Sequence, residues 1–174
     1  MKNKSSIRFG TYLGSTMILT HLLWFVMDML LVTIADQLTS AILFLIFITL
    51  SIKELRDVEG DGYLKFKQAF LQGVKTCAYA AILYGAYYFV FLEFIDPEFL
   101  NKSMDFAEEK MYELAELGFM DEDSIEEQML LARERSTSMF TVMSGILSHL
   151  FWGSIASLII GAIIKKNNPN PFEA

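Results

Sequence analysis

Long runs of mainly apolar residues recur along this chain and predict four membrane-spanning helices. A hydrocarbon core about 30 Å thick is crossed by roughly 20 apolar residues in helical conformation. Four stretches reach or approach this length, at residues 11–34, 38–52, 69–95 and 139–164. The sequence therefore predicts an all-α, polytopic membrane protein that forms a single membrane domain over residues 1–174.

Positive charge is distributed unevenly between the two ends of these predicted spans. Ten of the fourteen lysines and arginines lie before span one, between or just inside spans two and three, or after span four. Because cytoplasmic segments carry an excess of Lys and Arg, both termini and the loop at residues 53–68 are predicted to be cytoplasmic. The apolar part of span one is about twice as long as that of a signal peptide, which favours a retained helix. The predicted location is the cytoplasmic (inner) membrane.

Residues 96–138 are strongly acidic and are predicted to form an extracytoplasmic helical hairpin between spans three and four. They hold thirteen carboxylates against four cations. The pair Asp96–Pro97 is typical of a helix start, and Gly118 of a helix end. Ser124 with Glu127 suggests a capping box for a second helix, which is expected to continue into span four. The acidic run is interpreted as a solvated face.

The overall charge and the absence of known motifs exclude several classes of function. A formal net charge of −7 leaves no basic face for nucleic acid, and a single cysteine excludes a disulfide framework and a Cys-only zinc site. The chain contains no phosphate-binding loop, nucleophile elbow, zinc-protease motif or dinucleotide fingerprint. We therefore expect no enzyme, no catalytic residue and no metal site.

Three ionisable side chains, His21, Asp28 and His149, lie at membrane depth in the predicted spans. Such groups are costly in lipid and usually face the protein interior. The favoured interpretation is hydrogen bonding across helices, which fixes their register. Three alternatives stay open. Asp28 and a histidine could form a proton or cation relay, His21 and His149 could be axial ligands of a b-type haem, or the three could help bind a lipid-linked substrate or a metal.

Small residues at regular spacing indicate where the helices pack, because they let two backbones approach closely. Gly14, His21 and Asp28 recur every seventh residue along one seam of span one. The predicted helix-packing residues are Gly10, Gly14, Gly73, Gly145, Gly153, Ser157 and Gly161. Span two has no such row, so it is predicted to be the most lipid-exposed helix beside a bundle of spans one, three and four.

Four short motifs together carry a resemblance to a known family. They are GTYLG at residues 10–14, GYLKFKQAF at 62–70, IDPE at 95–98 and the lysine pair at 165–166, which ends a Gly/Ser-rich last span. In this combination the chain resembles an uncharacterised bacterial membrane family catalogued as domain of unknown function 4199. The resemblance covers nearly the whole chain. It implies four spans with an outer helical insertion in a bacterial membrane, and it assigns no functional residue.

The sequence thus favours a small integral membrane accessory or scaffold protein without a cofactor. A cell-envelope or glycosylation system is the expected client, through a protein partner or a homo-oligomer. The alternative is a transporter or a proton- or cation-handling protein that uses His21, Asp28 and His149. A haem-binding or lipid-binding membrane subunit is the third possibility.

Overall fold

The computed structural model describes residues 4–29, 34–119 and 121–167, with the side chains of residues 34–37 and 122–123 outside this description. Two π-helical turns, Leu55–Glu59 and Phe91–Ile95, directly follow the second and third α-helices. The α-helices of the described chain are α1 (Lys4–Val26), α2 (Ile34–Glu54), α3 (Phe66–Val90), α4 (Phe99–Glu116), α5 (Glu122–Arg135) and α6 (Ser138–Ile164). The predicted all-α fold class is confirmed.

Four helical stretches in the described chain are long and apolar enough to cross a membrane. Between 22% and 28% of the residues in their most apolar windows are buried, so most side chains there face outward. Apolar side chains on the surface of a helix are expected where lipid replaces water. The predicted class of polytopic membrane protein is confirmed. The four stretches are Lys4–Val26, Leu38–Glu59, Phe66–Ile95 and Ser138–Ile164.

The first of these helices differs most from the span predicted at residues 11–34. It begins earlier, at Lys4, because the basic residues of the N-terminal segment are part of the helix and find partners there. Arg8 forms an ion pair with Glu54 of α2, and Ser5 donates hydrogen bonds to Glu54 and Glu59, at 3.1 and 2.9 Å. The helix also ends earlier, at Val26. Residues 30–33 of the predicted span lie outside the described residues.

The segment predicted as a loop at residues 53–68 is helical over its first part. Helix α2 and the π-helical turn after it continue to Glu59, and the chain then reverses at Gly60, Asp61 and Gly62. Asp61 and Gly62 have positive φ angles of 48° and 84°, a conformation that glycine adopts without a steric penalty. Leu64 then pairs with Lys166, which follows α6, in an antiparallel bridge with N–O distances of 2.8 and 3.0 Å.

The described chain divides into two compact units. Unit 1 comprises residues 1–85 and 145–174, and unit 2 comprises residues 86–144. The core of unit 1 contains Ile48 and Ile52 of α2, both fully buried against residues of α3 and α6. The buried share of this second span, 22%, equals that of the fourth span and is below the 28% of the first and third, so span two takes part in the core without contradicting the prediction that it is the most lipid-exposed helix. Large apolar residues, rather than glycines, bring α2 into the core.

A hydrogen-bonded polar network also joins α2 to α3. Gln72 Nε2 donates to Ser51 Oγ at 2.9 Å, and Ser51 Oγ lies 2.7 Å from Thr76 Oγ1. Thr76 Oγ1 in turn donates to the carbonyl of Gln72 at 3.0 Å. All three side chains are buried. In an apolar surrounding each unpaired polar group would carry a desolvation cost, so this network ties the register of the two helices.

Most of the predicted packing glycines lie against a neighbouring helix. A Cβ atom at Gly10 would lie 2.6 Å from Tyr79 Cβ and 2.8 Å from the Thr76 carbonyl oxygen. A Cβ atom at Gly14 would likewise meet α3, at 3.1 Å from the Ala80 carbonyl oxygen. These two glycines thus place α1 on α3.

A second set of small residues joins α6 to α3. Gly73 faces Ser157, which is fully buried and donates to the Gly153 carbonyl at 2.6 Å. A Cβ at Gly161 would meet Ala69 Cβ at 3.3 Å. Gly145 differs from its expected role, because a Cβ there would have nothing within 4 Å.

Unit 2 holds the acidic segment as two helices, α4 and α5, with its own buried residues. Ile125 and Met129 lie one turn apart on α5 and are 0% and 5% exposed. In the π-helical turn after α3, Phe91 is fully buried. Its ring stacks on Tyr88 at 6.0 Å and meets Phe99 edge-on at 5.4 Å.

The ends of these two helices differ in part from the predicted caps. Helix α4 begins at Phe99 after Glu98, not directly after Asp96, whose carboxylate instead pairs with Lys102 at 3.1 Å. Gly118 has φ of +79° and ends the helix as expected, since its N–H and that of Phe119 bond back to the last turn.

The second acidic helix starts earlier than the predicted capping box implies. Asp121 is the residue before α5, so Ser124 lies inside the first turn and donates to the Asp121 carbonyl at 2.7 Å. The helix does not continue into the fourth span. It ends at Arg135, and α6 starts anew at Ser138, where the Thr137 hydroxyl accepts a hydrogen bond from the Phe140 N–H at 3.2 Å.

Candidate polar site in the membrane spans

Both histidines of the chain lie in unit 1, and each is in ring contact with the same tyrosine. The ring centroid of Tyr84 is 6.1 Å from that of His21 on α1 and 5.7 Å from that of His149 on α6. His21 is 4% exposed, and His149 is half-buried. The ring of Phe44 from α2 lies 5.5 Å from His149. Side chains from four helices thus meet at one polar site within the apolar spans.

Asp28, the third predicted member, does not belong to this site. Helix α1 ends at Val26, and Asp28 is exposed with a positive φ angle of 55°. Its N–H bonds to the Phe25 carbonyl at 3.0 Å, and the N–H of Met29 bonds to the Trp24 carbonyl at 2.9 Å. This pair of bonds closes a helix C-terminus around one left-handed residue. The seam predicted from Gly14 through His21 to Asp28 is therefore wrong at its last position.

The backbone fixes the orientation of the His149 ring. Its Nδ1 lies 2.7 Å from the Gly145 carbonyl oxygen, one turn earlier on α6. Since a carbonyl can only accept, Nδ1 carries a proton, and in the neutral ring Nε2 is left as an acceptor. Gly145 therefore contributes its carbonyl to the site, although a side chain there would contact nothing.

The two histidines share a tryptophan three residues later, but these tryptophans have different surroundings. Trp152 is 64% exposed on the outer surface of α6. Trp24 has a buried indole N–H without a hydrogen-bond acceptor among the residues described. The H-x-x-W pattern therefore does not mark two equivalent half-sites.

The residues around the histidines fit side-chain packing better than a haem group. Two axial histidines would need the iron, and with it the porphyrin, between their imidazoles. In this structure the Tyr84 ring contacts both imidazoles, and Phe44 packs against His149 from α2. Within residues 4–29, 34–119 and 121–167, no group of three or more His, Cys, Asp or Glu residues is placed to hold a metal ion.

The acidic hairpin in unit 2, formed by α4 and α5, is a second candidate surface, and ion pairs stabilise it. Arg133 of α5 donates to both Asp105 and Glu108 of α4, each at 2.7 Å. Hydrogen bonds to these two carboxylates hold the pKa of Arg133 above its ordinary value. Lys110 pairs with Glu113 on α4 at 2.7 Å, and that hydrogen bond likewise raises the pKa of Lys110.

The exposed end of α4 combines negative charge with large apolar side chains. Leu114, Leu117 and Phe119 are 44%, 71% and 76% exposed, and Glu113 and Glu116 are exposed beside them. We call these five residues the hairpin tip. A mixture of apolar anchors and a polar rim is typical of protein–protein interfaces.

The structure adds Tyr84 to the site, and the sequence held only an indirect signal for it. Tyr84 directly precedes Gly85, the last member of a small-residue row on α3 that begins at Gly73. A side chain next to such a row is placed close to a packed face. The chemistry of the phenol ring alone did not distinguish Tyr84 from the other tyrosines of the third span.

The fold and the buried polar site define a polytopic α-helical membrane protein with an acidic helical insertion between its third and fourth spans. The chain belongs to the family described as "Protein of unknown function (DUF4199)", which matches residues 8–166. The resemblance inferred from the four short motifs is thereby confirmed. Comparison with curated proteins and with solved structures gave no match.

Proposed function

We propose that this protein is a small, non-enzymatic membrane accessory or scaffold protein that holds a partner at its hairpin tip. The proposed partner is a membrane protein of a cell-envelope or glycosylation system. The observation that supports this role is an ordered acidic hairpin whose end exposes Leu117 and Phe119 among carboxylates. Aromatic and large apolar anchors supply most of the binding energy in interfaces of this kind.

The uneven charge of the chain supports an orientation for this interaction. Most cations lie before α1, between α2 and α3, or after α6. The orientation we propose therefore places both termini in the cytoplasm of a bacterial cell and the hairpin outside the inner membrane. The partner then offers a basic and apolar surface on the extracytoplasmic side.

Native mass spectrometry of the protein, extracted from its own membranes in mild detergent, tests the scaffold role. A second polypeptide is expected in complex with the wild-type chain. The double variant Leu117→Ser and Phe119→Ser is expected to lose it, because both side chains are exposed and their loss leaves the fold intact. Leu130→Ser, at a residue 61% exposed on α5, is the matched control. A bare chain, or equal capture by all variants, contradicts the proposal.

Handling of protons is the second candidate function, supported by the contact of Tyr84 with both His21 and His149. A proton relay through this site predicts that proteoliposomes dissipate a pH gradient, read with an entrapped pH-sensitive dye. His149→Ala and Tyr84→Phe are both expected to abolish the flux, since the latter keeps the ring but removes its proton-carrying hydroxyl. Asp28→Asn is expected to be silent. Wild-type liposomes that hold their gradient exclude this function.

A further inference from the structure

A cavity of about 230 Å³ opens in unit 1 where α2 ends and α3 begins. Its polar lining comprises Glu59, Gln68, Gln72 and Lys75, and Leu55 and Leu71 contribute to its apolar lining. The π-helical turn Leu55–Glu59 supplies two of these residues, and such turns often occur at functional sites. The cavity thus lies at the end of the second span and the start of the third, where these helices are expected to reach the membrane surface.

The charged residues of the cavity have opposite signs. Glu59 is held by a hydrogen bond from the buried Ser5 hydroxyl at 2.9 Å. Lys75 is exposed on α3 and lines the same cavity. The Gln72 side chain, which also lines the cavity, donates its amide to Ser51. The lining is therefore complementary to a ligand that carries a cation and an anion.

The size of the cavity limits what it can hold. Sites for drug-sized ligands and cofactors span about 300–1,000 Å³, so this cavity fits a smaller fragment such as a headgroup. Outside it, an exposed apolar strip continues along α3. Leu71, Tyr79 and Ile82 are 42%, 36% and 62% exposed, and they share one helix face with Lys75. An acyl chain that starts at the cavity can follow this strip.

We propose that the cavity binds the headgroup of a phospholipid that carries a primary ammonium next to its phosphate, as phosphatidylethanolamine does. Glu59 receives the ammonium, Lys75 receives the phosphate, and an acyl chain lies on Leu71, Tyr79 and Ile82. Lysine binds phosphate as a point charge, and basic pockets between spans are known to take lipid headgroups. This site is separate from the hairpin tip and does not depend on the proposed partner.

Native mass spectrometry of the purified full-length protein, titrated with defined lipids, tests this site. Phosphatidylethanolamine is expected to bind more tightly than phosphatidylglycerol, which lacks the ammonium, or soluble phosphoethanolamine, which lacks the chains. Lys75→Met is expected to weaken binding of both lipids by about tenfold, since it removes the phosphate contact. Glu59→Gln is expected to weaken only phosphatidylethanolamine and so to erase the preference. Lys75→Arg is expected to restore binding.

Two control variants separate the site from general effects of charge. Lys67→Met removes an exposed cation near the same end of α3 that does not line the cavity, and Glu93→Gln removes an exposed carboxylate elsewhere. Both are expected to bind as the wild type does. Equal affinity for the two lipids, or a Lys75→Met variant that retains both, overturns the proposal. Tight binding of soluble phosphoethanolamine also overturns it, because the ligand is then not a lipid.

Discussion

Gly153→Leu is expected to separate α6 from α3 and to lower the thermal stability of the protein sharply. Even the Cβ atom of a new side chain would lie 2.5 Å from Cys77 Sγ and 2.8 Å from Cys77 Cβ. Overpacking of a core typically costs about 1–3 kcal/mol, and the remaining three carbons of leucine would add to it. The midpoint of thermal unfolding in detergent, followed by circular dichroism, measures the loss. A fall of about 2–4 °C is expected per kcal/mol.

The chain supplies its own control for this prediction. Gly145 belongs to the same four-residue row on α6, yet a Cβ there has nothing within 4 Å. Gly145→Ala is therefore expected to leave stability unchanged or to raise it slightly, since alanine favours helix over glycine by about 0.5–1 kcal/mol. The double variant Gly153→Ala with Cys77→Gly lacks the Cys77 Sγ and Cβ atoms that a Cβ at position 153 would meet. It is therefore expected to be more stable than Gly153→Ala alone. Equal unfolding midpoints for Gly145→Ala and Gly153→Leu contradict the close contact between Gly153 and Cys77.

Phe91→Ala is the second change expected to have a large effect, and it acts in unit 2. The Phe91 ring is fully buried, stacked on Tyr88 and in edge contact with Phe99. Truncation of a buried phenylalanine typically costs about 3–5 kcal/mol, because the cavity left behind is only partly filled by relaxation. Limited proteolysis of the segment 96–138 in intact proteoliposomes, together with the unfolding midpoint, measures the loss of order.

Phe94→Ala is the matched control for Phe91→Ala. Phe94 lies in the same π-helical turn but is 75% exposed, so its truncation leaves no cavity. We expect its cleavage rate and unfolding midpoint to equal those of the wild type. Equal destabilisation by Phe91→Ala and Phe94→Ala would mean that the turn responds to any loss of apolar surface. The prediction that the buried Phe91 ring stabilises unit 2 would then be wrong.

The composition of the spans predicted the fold class because lipid imposes a simple length rule on helices. The second span continues past residue 52 to Glu59, whereas the third and fourth match the predicted stretches within three residues at each end. The first does not, because a helix can include basic residues when they have partners. Arg8 pairs with Glu54, and this contact between distant residues leaves no mark in the local pattern.

The polar site was predicted only in part, since sequence spacing assumes that a helix continues. His21 and His149 both contact Tyr84, but these contacts depend on the packing of α1, α3 and α6. Asp28 fits the seven-residue spacing and yet lies outside the helix, because it takes the left-handed position that ends α1. Aspartate is among the residues that tolerate this conformation, so spacing alone could not distinguish the two roles.

Small residues predicted several contacts between helices, but not the contacts that large side chains make. Gly10, Gly73 and Gly153 all lie against a neighbouring helix in the structure. Helix α2 has no such row, but Ile48 and Ile52 are fully buried and Ser51 bonds within the polar network. Packing of large side chains has no fixed spacing, which is why the sequence pattern held no sign of the contacts that α2 makes in the core.

The bridge between Leu64 and Lys166 has a consequence for how the protein is made. Leu64 leaves the ribosome well before α6 is synthesised, yet its N–H and carbonyl pair with a residue that follows α6. The bridge can therefore close only after α6 has been synthesised, so the loop after α2 reaches its final backbone pairing later than the helices that flank it.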